Sequence, residues 1–139
     1  MEIKMKDYTL FSCYTSEEEH VFDFEFVDMT KEDRYDVPIR FAHNMMFFLN
    51  ASGEIGEIEI ITKPTAAGGL HTGKTEHQTH GMQKVWIEPN ENEQGCLSIQ
   101  NVCFVAWRAS SAEYVQAIDC KDIVLYTEKN RLIGFTIKV

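Results

Sequence analysis

Hydrophobic and polar residues alternate along much of this chain, which is the pattern of half-buried β-strands. Residues 22–27 read FDFEFV, in which three phenylalanines alternate with Asp23 and Glu25. Residues 55–62 read IGEIEIIT and repeat the pattern with isoleucine. Because a strand with one apolar and one polar face covers a core on one side only, the alternation favours antiparallel sheets.

Polar turns separate the apolar segments and join neighbouring strands into hairpins. The acidic turn Ser16–Glu19 joins the first two predicted strands, and Asn50–Glu54 joins a later pair. A last hairpin turns across the residues EKNR at 128–131. The predicted strands cover residues 8–15, 21–28, 45–49, 55–62, 83–88, 96–108, 122–127 and 131–139.

Two segments between the strands carry helix-start signals. Ser110 precedes Glu113 by three residues, a capping box that predicts a short helix over 112–118. Thr30 and Asp33 form a weaker version of the same signal. The predicted fold class is therefore mainly β, an α+β chain with one or two short helices, whose antiparallel sheets form a sandwich or a half-barrel.

The 139 residues fit a single domain of ordinary size, and its two halves follow a similar plan. Residues 1–62 and 83–139 each contain two strands, a capped turn and two more strands, and a long loop at 63–82 joins them. Residues 37–56 match 115–134 without a gap in the spacing of their strands. This pattern predicts a pseudo-twofold ββαββ duplication, although two unrelated hairpins of similar length would also match in this way.

The chain is acidic, with 22 acidic residues, 13 basic residues and a formal net charge of −9. Such a surface repels phosphate backbones and anionic bilayers, so we expect neither a nucleic-acid polymer nor a membrane as partner. It suits a basic protein partner, and it equally suits a protein that only has to stay soluble. The amino terminus lacks the apolar segment of a secretory signal, and no apolar run reaches the ~20 residues of a membrane span, which predicts a cytoplasmic protein.

The 4 cysteines of the chain have none of the spacings of a metal site, so we expect free thiols. Only Cys120, which precedes Lys121, has a cation next to it in the sequence. A nearby cation is one of the features that activate a thiol as a nucleophile. No arrangement of serine, histidine and carboxylate residues predicts a catalytic site.

The loop at 63–82 carries a phosphate-binding pattern. Residues 68–75 read GGLHTGKT, which fits G-x-x-x-x-G-K-[ST], and a predicted strand precedes them. In that motif, backbone amides surround phosphate oxygens while the lysine and the hydroxyl reach the terminal phosphates and their magnesium ion. The candidate ligand-binding residues are Gly68, Gly69, His71, Gly73, Lys74 and Thr75.

The residues that follow the pattern argue against a nucleotide hydrolase. An apolar-faced helix should begin at Lys74 and direct its dipole at the phosphate, but residues 75–82 read TEHQTHGM and are polar. What remains is a small anionic ligand held by flexible amides and lysines. The competing interpretation is a solvated loop or a loop that contacts another subunit.

Three histidines of the same loop, His71, His77 and His80, suggest a second kind of site. Neutral imidazoles at such spacing bind divalent metals such as zinc or nickel. Loop histidines without a cysteine or a rigid scaffold are, however, often ordinary polar residues. Apart from this divalent metal, we expect no cofactor.

Two function classes follow from these observations. The first is a small acidic cytosolic binding protein without catalytic activity, which covers or sequesters a protein partner as immunity proteins and phage anti-defence factors do. The second is an anion-, nucleotide- or metal-binding protein, enzymatic or not, that uses the loop at 63–82. Exposed edge strands and a long loop also predict a homo-oligomer.

Overall fold

All regular secondary structure that the computed structural model describes is β-strand. The structure describes residues 1–65, 75–108 and 114–139, and within these ranges it contains thirteen strands and no helix. The strands are β1 (Glu2–Ile3), β2 (Ser12–Ser16), β3 (Val21–Glu25), β4 (Val37–Ala42), β5 (Met45–Leu49), β6 (Ile55–Ile61), β7 (Thr75–Thr79), β8 (Val85–Trp86), β9 (Gly95–Gln100), β10 (Cys103–Arg108), β11 (Val115–Cys120), β12 (Ile123–Glu128) and β13 (Arg131–Lys138).

The first sheet contains five antiparallel strands in the order β2-β3-β6-β5-β4. Phe24, Ile58 and Phe47 form one inward-facing row across β3, β6 and β5, and all three are fully buried. The residues between them along each strand face outward. The alternation of FDFEFV and IGEIEIIT determines these faces, because successive side chains of a strand point to opposite sides.

The second sheet is organised around β13, which is eight residues long. β12, β11 and β7 follow on one side of β13, and β10 and β9 follow on the other. β8 pairs with the first residue of β13 and also with β1. The pairs β7–β11 and β8–β13 are parallel, and the others are antiparallel. β13 therefore pairs with three strands, β12, β10 and β8, and the sheet has the form of a half-barrel.

The predicted fold class, mainly β with antiparallel sheets in a sandwich or half-barrel, is confirmed, but the predicted helices are wrong where the structure describes them. Val115–Cys120 form β11, which pairs with β12 on one side and β7 on the other. Residues 29–31 form a turn that Asp28 stabilises by accepting hydrogen bonds from Thr30. Strand pairing on both sides of β11 outweighs the local capping signal. Ser110 and Glu113 lie outside the described residues.

Three other predictions about strands need correction. The single strand predicted over 96–108 is the hairpin β9–β10, whose turn places Asn101 at a φ of 57°. Asparagine tolerates this left-handed conformation, and the continuous β-forming sequence hides the turn. The loop predicted at 63–82 contains β7, and Val37–Ala42, for which no strand is predicted, form β4.

The two sheets share one strand order. β2-β3-β6-β5-β4 in the first sheet corresponds, strand by strand, to β9-β10-β13-β12-β11 in the second. The matched windows 37–56 and 115–134 fall on β4–β6 and β11–β13. The third element of each half is a strand and not a helix, so the ββαββ form is wrong. The duplication itself stays a prediction.

Bulges shift the match between the two halves by one residue. Phe48 pairs with Glu57 in the first sheet, and Tyr126 pairs with Gly134 in the second. Tyr126 follows Phe48 by the same number of residues that separates the two matched windows. Gly134 follows Glu57 by one residue fewer. The register of each strand pair changes just beyond these residues, so a match without gaps does not give equivalent positions on β6 and β13.

Aromatic rings join the inner faces of the two sheets. The ring centroid of Phe104 on β10 lies 5.1 Å from that of Phe24 on β3. The ring of Phe135 on β13 lies 5.1 Å from Phe47 and 5.6 Å from Phe41. Tilted and edge-to-face ring pairs of this kind contribute about 0.5–1.5 kcal/mol each beyond the burial of their area. Buried residues of both sheets form one contiguous core.

A buried arginine connects three segments at one end of this core. Arg108 donates hydrogen bonds to the main-chain carbonyls of Phe41 (3.0 Å), Glu88 (3.1 Å) and Leu132 (2.9 Å). Its guanidinium also lies 4.8 Å from the centre of the Phe41 ring. The residue is 8% exposed, and burial lowers the pKa of its guanidinium. Backbone carbonyls therefore replace the water that would otherwise solvate this charge.

Replacement of Arg108 should destabilise the protein strongly. We expect Arg108→Met to lower the free energy of unfolding by about 3 kcal/mol or more, because three carbonyls lose their donor inside the protein. Denaturation of the full chain in urea measures the loss. Arg131→Gln is the control, since Arg131 is half-exposed and lies 3.7 Å from Glu88, and it should cost less than about 0.5 kcal/mol. Equal losses for the two variants would contradict the role of Arg108.

Candidate functional site

Four carboxylates share the outer face of the first sheet. Asp23 and Glu25 lie on β3, opposite Glu59 and Glu57 of β6, respectively. All four residues are half-buried. We call these four residues the acidic face. Like charges at directly opposite positions of an antiparallel pair are destabilising, so the sheet gains nothing from this arrangement while the carboxylates are ionised.

In the described part of the chain, no lysine, arginine or histidine forms an ion pair with the acidic face. Carboxylate oxygens of Asp23, Glu57 and Glu59 lie within 4.8 Å of one another. None of the ion pairs formed by described residues includes a carboxylate of the acidic face. The hydroxyl of Ser12 donates to Glu25 at 2.7 Å, which stabilises one carboxylate without neutralising it.

The surroundings of Glu57 favour its protonated form. Burial, a hydrogen bond with Asp23 and the charges of the neighbouring carboxylates together raise the pKa of Glu57 from 4.5 to about 8. Asp23 Oδ1 is buried and has no hydrogen-bond partner among the described residues. A protonated Glu57 offers the Asp23 carboxylate a donor, because a neutral carboxyl group carries one O–H.

The second sheet offers an internal comparison for the acidic face. Its strands follow the same order, and its inward-facing pair Ala106–Phe135 occupies the place of Phe24–Ile58. Asp23, Glu25, Glu57 and Glu59 correspond to Val105, Trp107, Gly134 and Thr136, respectively. None of these four side chains in the second sheet is ionisable. A sheet of this strand order therefore forms without carboxylates at these positions.

A groove of about 430 Å³ adjoins the acidic face. Glu59 lines it together with the apolar side chains of Met46, Phe48 and Ile61. Ile61 is 53% exposed. Arg40 borders the groove, and its guanidinium donates to a main-chain carbonyl at 2.7 Å. The outer surface of the first sheet thus combines negative charge with apolar area that is open to solvent.

Most of the predicted anion site lies outside the described residues. The candidate residues outside the described ranges are Gly68, Gly69, His71, Gly73 and Lys74. The remaining one, Thr75, is the first residue of β7, which pairs in parallel with β11. Because a strand begins at Thr75, no helix dipole follows the pattern, as a nucleotide hydrolase would require. The hypothesis of an anion or nucleotide site stays a prediction.

The described histidines of the predicted metal site lie in different surroundings. His77 is exposed on β7 and lies opposite Ala117. His80 Nε2 lies 2.8 Å from Asp7 Oδ1, and His80 Nδ1 accepts a hydrogen bond of 2.8 Å from the amide of Gly81. Within the described ranges, no group of residues with the proximity of metal ligands includes either histidine. Since His71 lies outside those ranges, the metal site stays a prediction.

Cys120 lacks the properties of a nucleophile. The residue is fully buried, and burial raises the pKa of its thiol to about 12. A thiol that keeps its proton at neutral pH is unreactive, so the adjacent Lys121 does not activate it. Cys13 is exposed, and Cys96 and Cys103 are half-buried free thiols.

The sequence predicts no site at the acidic face. Alternation shows that Asp23 and Glu25 point away from the phenylalanines of their strand, and Glu57 and Glu59 away from their isoleucines. The closeness of the four carboxylates arises from the pairing of β3 with β6, two strands distant in sequence. The sequence feature that could have revealed the acidic face is the presence of acidic residues at consecutive outward positions of two different strands.

Comparisons of the chain with protein-family models, with curated proteins and with solved structures found no match in any of the three. In the described part of the chain, no helix has the length and apolarity to cross a membrane. The functional argument therefore rests on the geometry and charge of the acidic face.

Glu57→Gln should remove part of the pH dependence of stability. The pKa of Glu57 is about 8 in the folded protein and 4.5 ordinarily. The folded state therefore binds more protons, and stability is lost as the pH rises between these values. Glutamine stays neutral and still donates to Asp23. Above about pH 8, the variant should be more stable than wild type by about 1–2 kcal/mol, allowing for the partial exposure of the site.

Urea denaturation at about pH 5 and about pH 9 measures this difference, since the two pH values lie on either side of the titration. At the lower pH the variant and the wild type should have nearly the same free energy of unfolding. Glu18→Gln is the control, because Glu18 lies at the exposed tip of the β2–β3 hairpin. An equal gain at high pH from Glu18→Gln would count against a special role of Glu57.

Proposed function

We propose that this chain is a small acidic cytoplasmic binding protein without catalytic activity, which covers a basic protein partner with its acidic face. The main support is the set of four half-buried carboxylates that form no ion pair with any described residue. Close like charges are costly in the free protein. Lysine and arginine side chains of a partner would neutralise the carboxylates and relieve that repulsion.

The difference between the two sheets supports a role other than folding for the acidic face. The corresponding positions of the second sheet are neutral, and Trp107 and Thr136 among them are buried. The same strand order is therefore compatible with uncharged residues. Carboxylates that a fold does not need, and that repel one another, are typical of sites at which stability is given up for binding.

The apolar side chains around the acidic face supply the second component of an interface. Met46 and Phe48 are half-buried and Ile61 is exposed, so a partner that covers them gains the free energy of apolar burial. Protein interfaces commonly combine an apolar centre with charged residues that select the partner and accelerate its approach. The net charge of −9 favours a basic partner over an acidic one at long range.

This surface suits a protein that inactivates its partner by covering it, as immunity proteins and anti-defence factors do. The alternative hypothesis, an anion, nucleotide or metal site in the loop at 63–82, gains no geometric support. Of its candidate residues, only Thr75, His77 and His80 fall within the described ranges.

Removal of charge from the acidic face should weaken binding of a basic partner. The test variant is Asp23→Asn/Glu59→Gln, which keeps the shape of both side chains and removes two charges. Basic proteins retained by the wild-type chain are identified, purified and titrated calorimetrically against each variant. We expect the dissociation constant to increase about tenfold or more, because each close charge pair across an interface contributes about 1.5 kcal/mol or more.

The matched control is Glu2→Gln/Glu88→Gln, which removes two charges from exposed residues in and next to the strands β1 and β8 of the second sheet. This variant has the same net charge as the test variant, so general electrostatic attraction changes equally in both. It should bind the basic partner within about twofold of wild type, as expected for charges outside an interface. Equal weakening by both variants, or retention of no basic protein, would refute the proposal.

A further inference from the structure

The edge strand β2 has one neighbouring strand among the described residues. It pairs with β3 on the inner side of the first sheet. Its other side receives no main-chain hydrogen bond from any residue in the ranges that the structure describes. An open edge presents unpaired N–H and C=O groups, and these groups are a template for pairing with another strand.

The chain itself covers the three strands that lie at comparable edges of the two sheets. β11 pairs with β7. On β4, the amide of Asn90 donates to the carbonyl of Arg40 at 2.8 Å, and just beyond the strand the amide of His43 donates to the carbonyl of Glu93 at 2.7 Å. β9, the counterpart of β2 in the second sheet, accepts a hydrogen bond of 2.8 Å at Leu97 from the amide of Thr65. Among these four corresponding strands, β2 is the one whose outer edge no described main-chain group pairs, while β7, at the end of the second sheet, likewise pairs only with β11.

β2 also extends beyond the core. Cys13 and Thr15 lie opposite the buried Phe24 and Phe22, so their side chains are on the face that turns toward the second sheet. Both residues are nevertheless exposed, and Tyr14 on the other face is 53% exposed. β2 is therefore open on both faces as well as along one edge. It also carries none of the charged or proline residues that usually protect edge strands.

We propose that β2 pairs in antiparallel orientation with β2 of a second copy of this chain, about a two-fold axis at Tyr14. This register places Ser12 opposite Ser16, Cys13 opposite Thr15, and Tyr14 opposite Tyr14. All of these residues are uncharged, so no like charges oppose each other along the strand. The contact is self-complementary, which is the requirement for a closed two-fold dimer.

The distribution of charge is compatible with this dimer. The two β3 strands are separated by three strand spacings, about 14 Å, which exceeds the Debye length of about 8 Å at physiological ionic strength. Repulsion between the two acidic faces is therefore weak. Antiparallel pairing also directs the acidic turn Glu17–Glu19 of each copy toward Thr9 of the other. Lys121 Nζ lies 2.9 Å from Thr9 Oγ1, so opposite charges approach each other there.

The dimer would deepen the proposed binding function without depending on it. A two-fold axis between antiparallel strands is perpendicular to the joined sheet, so both acidic faces lie on the same side. One extended basic surface can then contact two acidic faces at once, which increases avidity through effective concentration. If the basic partner is never found, the dimer can still be measured, because its test uses the purified chain alone.

The first experiment measures the mass of the purified full chain in solution by light scattering. The wild type should be a dimer, and Tyr14→Glu should be a monomer because it places two carboxylates face to face at the axis, each directly opposite Asp23 of its own chain. Tyr14→Phe keeps the ring and should remain dimeric. Val102→Glu adds the same charge at a residue that is 65% exposed in the β9–β10 turn, and it should also remain dimeric. A monomeric wild type, or a dimeric Tyr14→Glu variant, would overturn the proposal.

A cross-linking experiment tests the register without removing a contact. Thr15→Cys introduces a thiol opposite Cys13 of the second copy, at a Cα separation of about 4.5–5.5 Å. This separation is within the range that a disulfide spans. Mild oxidation should convert the variant to a covalent dimer on a non-reducing gel, whereas Cys13→Ser/Thr15→Cys should stay monomeric on the gel. Failure of T15C to cross-link, or equal cross-linking of the double variant, would refute this register.

Discussion

The contact between the inner faces of the two sheets is the constraint on which the rest of the structure depends. Each sheet presents a row of aromatic and aliphatic side chains that it cannot bury alone, and Phe104 and Phe135 pack against rings of the opposite sheet. Burial of one such side chain contributes about 1.5–3 kcal/mol. Arg108 holds the end of this layer by hydrogen bonds to three main-chain carbonyls. The inward positions are therefore fixed by packing.

The outward positions are free to differ because the core does not depend on them. The first sheet has four carboxylates where the second has valine, tryptophan, glycine and threonine. A scaffold of two sheets with one strand order thus fixes its inner surface by packing and leaves its outer surface free for the proposed recognition. If the halves arose by duplication, the acidic face marks a difference in chemistry between them that the common fold does not explain.

The sequence predicts the hairpins well because they follow from local alternation and turn residues. It fails at β11, where pairing with two neighbours overrides a capping signal that begins at Ser110, and at Asn101, where a turn interrupts a continuous run of β-formers. The acidic face is not predicted for a different reason. Each carboxylate is recognisable as an outward residue, but the closeness of Asp23 to Glu57 depends on strand order, which periodicity does not encode.

The proton on Glu57 links the stability of the protein to the proposed interaction. Burial and the neighbouring carboxylates raise the pKa of Glu57 to about 8, which favours its protonated form at pH 7. A lysine or arginine that pairs with Glu57 must displace this proton, which costs free energy at that pH. Above pH 8 the cost disappears, while repulsion among the ionised carboxylates destabilises the free protein. One carboxyl group therefore makes folding weaker and binding of a basic partner stronger as the pH rises.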